Sequence, residues 1–175
     1  MTTTAENSDP GEADDVLAVL TAQHRRLEHL LKTLVDAEMR EERSELLARA
    51  GDELAVHLLA EEEIVCPQVH ANRTEGILLE SLEEHLSLKR LVADLLALAP
   101  DEETFWPKCK VLEEQTRHHH KEEEEHLFPR MKGLLDADAR RAMGQAVLRH
   151  EQALREHGAP RERLGAQTDV AAPLP

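Results

Sequence analysis

Two residue pairs in this 175-residue chain have the spacing of metal ligands. His57 and Glu61 are four apart, as are His119 and Glu123, so on a helix each pair points to one side. A proline follows each histidine by ten residues, Pro67 in the first copy and Pro129 in the second. Two lone histidines, His24 and His85, precede His57 and His119 by 33 and 34 residues. Each half of the chain thus gives a histidine and then a His–Glu pair, a repeat carried mainly by polar positions. The six candidate ligands are His24, His57, Glu61, His85, His119 and Glu123. Imidazole with carboxylate suits iron, with manganese and zinc as alternatives. Two neighbouring ions need bridging anions, and Glu61 and Glu123 each carry two oxygens that can span both. Two carboxylates against two dications leave positive charge over. That excess favours a bridging oxide or hydroxide, or an anionic substrate, and six ligands leave coordination positions open for a small molecule.

Each feature alone has a plainer explanation. One histidine in an apolar stripe is ordinarily a core or boundary residue, and a run such as Glu122–Glu125 is ordinarily a solvated helix face. Four histidines in four stripes, two with a glutamate at the same offset, outweigh that explanation, because burying them without a metal would cost several kcal/mol each unless they were paired. His118 and His120 flank His119 about 100° to either side, and either could replace it in another register; the spacing to Pro129 favours His119. Glu62 and Glu122 stand beside the ligand glutamates as alternates or as hydrogen-bond acceptors for the ligands. Lys89, one turn after His85, and His126, near the stripe beyond Glu123, are candidates for supporting the reacting centre. Lys89 could hold an acidic partner or a water, or reach out to solvent.

The elements that must carry these residues are helical. Mainly leucine stripes recur at three and four over residues 16–37, 44–65 and 74–98. Cys109, Leu112, Thr116, His119, Glu123 and His126 mark the inward line over 102–127, and each stripe includes one of the four histidines. Short joints make neighbouring helices antiparallel. Helices of about 25 residues are about 37 Å long, and mid-helix histidines then meet at one level of the core. Pro67 and Pro129 predict an end or kink in their helices. The sequence thus predicts an all-α, antiparallel, up-down four-helix bundle with an additional C-terminal helix. Residues 1–13 read as a disordered lead-in, 14–157 as one bundle domain with its core at 14–130 and the extra helix at 137–157, and 158–175 as a flexible tail.

Composition agrees. Leu, Ala, Glu and Arg dominate, aromatics are 2% of residues, and there is no tyrosine, which excludes a tyrosinate ligand. The net charge of -15 repels nucleic acid and anionic lipid, so neither is an expected partner. No apolar run approaches the roughly 20 residues needed to cross a bilayer, and the acidic first 15 residues do not read as an export signal. A cytoplasmic protein, monomeric or weakly dimeric, is expected. Its cysteines, Cys66 and Cys109, are then expected reduced.

The segments HLLAEEEIVCP and HHKEEEEHLFP, with His24 and His85, resemble the hemerythrin-like HHE cation-binding domains over roughly residues 14–130. The resemblance implies two iron ions with an oxo or hydroxo bridge, held by the six candidates in a four-helix bundle. It implies a non-haem protein that binds or reacts with O₂, peroxide or NO, with an electron donor as a possible partner. If the protein is an enzyme, the resemblance implies a di-iron oxidoreductase, peroxidase-like, catalase-like or oxidase. The alternatives are an oxidase acting on a small organic substrate and a non-catalytic oxygen, iron or redox sensor. Oxygen-carrying members place a second histidine one turn after the third-helix ligand. Lys89 stands there instead, which weighs against reversible storage and toward redox reactivity.

Overall fold

Helix α1, Val16–Asp36, starts where the Asp15 side chain accepts from Leu17 N at 3.0 Å; the same carboxylate accepts from Arg140 Nε at 2.7 Å. In the computed structural model, residues 14–71 and 73–174 are described, so the lead-in expected over 1–13 lies outside them, as does Asn72, which by residue type reads as the turn residue of the loop after Pro67. After a short joint, α2 (Arg40–Ala60) runs into a π-helical turn, Glu61–Val65, and then α3, Cys66–Val69. Helix α4 is Glu75–Ala97. Helix α5 (Phe105–Glu122) likewise runs through a π turn, Glu123–Leu127, into α6, Phe128–Leu134. Pro107 is the third residue of α5, where its missing N–H has no intrahelical partner to lose. Helix α7, Ala137–Glu156, is capped by Asp136, which accepts from Ala139 N at 2.8 Å.

Pro67 and Pro129 neither end nor sharply break their helices. Each is the second residue of the helix after a π turn, in which Cys66 N–H reaches Glu61 O and Phe128 N–H reaches Glu123 O, five residues back. A proline ring crowds the carbonyl four residues before it, here Glu63 and Glu125. The wider turn gives that carbonyl room, so the chain continues helical. The two candidate ligand glutamates open these two turns.

Helix α1 packs on α2 and α5, and α4 packs on both α2 and α5, closing a ring of four antiparallel helices. Two apolar layers fill its ends. One centres on Leu31, Leu54, Val92, Phe105 and Leu112, the other on Leu20, Leu78, Leu127 and Met131. The buried histidines and glutamates lie between them. Helix α7 lies outside against α1 and α2, burying Met143, Val147 and Leu154 and leaving Leu148 exposed. It approaches closely at Gly144, where a β-carbon would fall 1.9 Å from Asp14 O. The described residues contain helices and no strand, as the sequence predicts.

The C-terminal segment departs from the flexible tail expected at 158–175. A 3₁₀ turn, Pro160–Ala166, packs on α2 and α4 and buries Leu164 in the first apolar layer. Arg161 pairs with Asp52 at 2.6 Å, and Arg90 holds the carbonyls of Thr168 and Asp169 at 2.7 and 3.0 Å. Proline and glycine breaks signal an irregular path, but they do not signal whether a buried leucine and three polar ties hold that path down.

Candidate metal centre

His24, on α1, is fully buried, and its Nε2 lies 3.3 Å from Glu123 Oε2. His57, on α2, has Nε2 3.4 Å from Glu61 Oε2. His85, on α4, has Nε2 3.3 Å from the same oxygen and 3.2 Å from His119 Nε2. His119 Nε2, from α5, is 3.7 Å from Glu123 Oε2 and 3.9 Å from Glu61 Oε2. The structure thus brings all six sequence candidates together in one buried cluster, as two four-residue sets that share Glu61 and Glu123.

The outer nitrogens explain the orientation. His24 Nδ1 meets Glu124 at 2.8 Å and His85 Nδ1 meets Glu62 at 3.1 Å. His57 Nδ1 meets Gln23 Oε1 at 3.1 Å, an oxygen fixed because Gln23 Nε2 donates to Glu151 at 3.2 Å. His119 Nδ1 meets Glu84 at 2.8 Å. With each Nδ1–H donating outward, each Nε2 turns its lone pair inward. His85 and His119 then face one another with two lone pairs at 3.2 Å, an arrangement that only a shared cation or proton makes favourable. Ligand bonds of about 2.1 Å put two donors on one ion about 3.0 Å apart at a right angle and about 3.4 Å apart at the tetrahedral angle. The four shortest inner separations fall in that range. The Nε2 atoms of His24 and His57, both oxygens of Glu61 and Oε2 of Glu123 are buried without a hydrogen-bond partner. The donor set therefore fits a pair of metal ions.

Electrostatics follow the same division. Burial works against charge on Glu61, but His57, His119 and His85 hold its carboxyl well below the usual carboxylate range. Burial is likewise outweighed at His119 by Glu123, Glu61 and Glu84, and at His24 by Glu123 and Glu61, so both imidazoles are raised. At His57 burial prevails and pushes the imidazole down to about 3, against the pull of Glu61.

The supporting residues repeat with the ligands. The glutamate after each ligand glutamate, Glu62 or Glu124, serves the lone histidine of the other half, His85 or His24. The residue before each lone histidine, Gln23 or Glu84, serves the paired histidine of the same half, His57 or His119. These equivalences were present in the repeat spacing as a usable signal. Of the two glutamates expected as acceptors, Glu62 is one, and Glu122 instead pairs with His126 at the surface. His126 is 54% exposed and forms no hydrogen bond with the cluster. Lys89 is buried and donates to Glu62 at 2.7 Å and to Gln167 at 2.8 Å, so it steadies the acceptor of His85. Burial raises the thiol pKa of Cys66, and of Cys109 to about 11, which leaves both poor nucleophiles.

Sequence spacing passes over His120. It is fully buried, its ring stacks on that of His24 at 3.9 Å, its Nδ1 meets Glu28 at 3.0 Å, and its Nε2 has no partner.

A family model described as the hemerythrin HHE cation-binding domain matches residues 15–129. The chain belongs to the hemerythrin HHE family. No curated protein and no solved structure matches the chain significantly. Membership in this cation-binding family agrees with the buried His/Glu cluster, and the matched span ends at Pro129, just past the second π turn. The hemerythrin bundle here carries α7 and the C-terminal 3₁₀ turn beyond that span. No helix among the described residues is long and apolar enough to cross a membrane.

Proposed function

We propose that this protein is a non-haem di-iron protein that binds or reacts with O₂, peroxide or NO. The residues that would hold the ions are His24, His57, Glu61, His85, His119 and Glu123, with Glu61 and Glu123 common to both four-residue sets. The observation that carries the reading is the inward set of unpartnered Nε2 and carboxylate atoms, spaced as donors on common ions. A bound iron pair supplies two-electron redox chemistry toward a small oxidant. The protein's own residues supply the rest. Glu62, Glu84, Glu124 and Gln23 fix ring orientation through the Nδ1 atoms. The apolar layers above and below exclude bulk water from the charged layer.

The size of the approach favours a small reactant. A cavity of about 210 Å³ reaches Ser81 and Glu123 from a surface formed by Ile77, Glu84, His126 and Arg130. It is smaller than the roughly 300–1,000 Å³ of sites that enclose organic ligands. A diatomic or peroxide fits it better than an organic substrate. Absorption spectra of protein loaded with iron, taken reduced, air-oxidised and peroxide-treated, test the reading. Visible charge-transfer bands that appear on oxidation and change with peroxide are expected. Spectra no different from those of iron in buffer would overturn it.

A further inference from the structure

We propose that the two ions are unequal: His120 is a third imidazole on the ion held by His24 and His57, and the exchangeable position lies on the other ion, beside Ser81. The proposal rests on the dinuclear reading and adds a ligand and a direction to it.

The first observation is His120 itself. It is buried with a partnerless Nε2, and it offers a ring nitrogen within 4.8 Å of ring nitrogens of His24 and His57. Glu28 takes its Nδ1, the same outer arrangement that orients the four paired and lone histidines. A hydrogen-bonded core histidine would have no reason to leave its second nitrogen bare toward two other bare nitrogens.

The second observation is how the repeat breaks. The position after His57 that corresponds to His120 is Leu58, fully buried and without a ligating atom. The position after His85 that corresponds to Glu28 is Lys89, which cannot accept from an imidazole. Both changes remove a third imidazole from the His85/His119 side together with its acceptor. In return that side has Ser81, four residues before His85, where the other half has Leu20. Ser81 Oγ lies 3.4 Å from both His85 Nε2 and Glu123 Oε1, and it lines the 210 Å³ cavity. The crowded side is thus saturated with nitrogen donors. The other side offers a vacant position, a hydroxyl to hydrogen-bond what enters, and a route to solvent.

X-ray absorption of the wild-type protein loaded with two equivalents of Co(II) counts the imidazoles directly and needs no variant to fold. Scattering from five imidazoles shared by two ions is expected, and scattering from four would overturn the assignment. His120→Gln, checked for unchanged helicity by circular dichroism, is expected to weaken one metal equivalent at least about tenfold and spare the other. His118→Ala, an exposed neighbour, is expected to change neither. Ser81→Leu is expected to keep both equivalents and weaken azide binding at least about tenfold, read from azide-dependent absorption of the air-oxidised iron form. Retention of both affinities in His120→Gln, or unchanged azide binding in Ser81→Leu, overturns the proposal. Wild-type protein that takes up fewer than two equivalents overturns the dinuclear reading itself, so the two failures are distinct.

Discussion

At the scale of residues, each inward donor is set by an outward one. The clearest case is the chain Gln167–Lys89–Glu62–His85, which joins the C-terminal segment to a candidate ligand. Lys89 and Glu62 are both buried, and removing one partner of a buried pair costs about 3–5 kcal/mol. Lys89→Met is therefore expected to lower stability by about 3 kcal/mol in urea unfolding, and to weaken metal binding about tenfold by freeing Glu62. Metal affinity equal to wild type would mean that His85 needs no such support. The residue scale is also where the sequence was hardest to read. The six clustered candidates were legible because their spacing recurs across two halves. His120 was not, because rotation by about 100° from His119 takes a residue off a single stripe. In a ring of four helices each helix faces two neighbours, so the inward arc is wide enough to hold both.

At the scale of elements, the helices were legible in the leucine periodicity, and their functional irregularities were not. The prolines at 67 and 129 carry the same local signal as a helix end, yet a π turn beginning at the candidate ligand glutamate absorbs them. That turn sends consecutive glutamates to different tasks, Glu61 inward and Glu62 to His85, Glu123 inward and Glu124 to His24. Helix α7 was legible as an additional helix, but its point of closest approach was not, because a glycine in a helical stretch reads only as a weak spot. Gly144→Ala places a methyl group against the Asp14 carbonyl, and backbone cannot give way as a side chain does. A loss of about 1–3 kcal/mol in denaturant unfolding is expected, with metal binding retained because α7 supplies no ligand. Stability unchanged within error would contradict this packing.

At the scale of the whole molecule, charge and metal are linked. The chain carries -15 overall and concentrates imidazoles and carboxylates in one dry layer. In metal-free protein the raised pKa values of His24, His85 and His119 add stability that is complete below the ordinary histidine range. It is lost as pH rises through the raised values. Metal ions compete with those protons, so their stabilising effect changes in the opposite sense and grows with pH. His57, already neutral down to about 3, adds no proton to that competition. The gap in melting temperature between loaded and metal-free protein is expected to widen from about pH 6 to about pH 8. A gap that narrows would contradict the protonation scheme.

The central claim is that two ions share Glu61 and Glu123. Metal titration of wild type and of Glu61→Ala, with bound metal measured after gel filtration, tests it most directly. The account predicts two tightly held equivalents per chain in the wild type and weakening of both in the variant, because each ion loses the same bridge. Glu61→Ala that stays folded and holds two equivalents as tightly as wild type would contradict it.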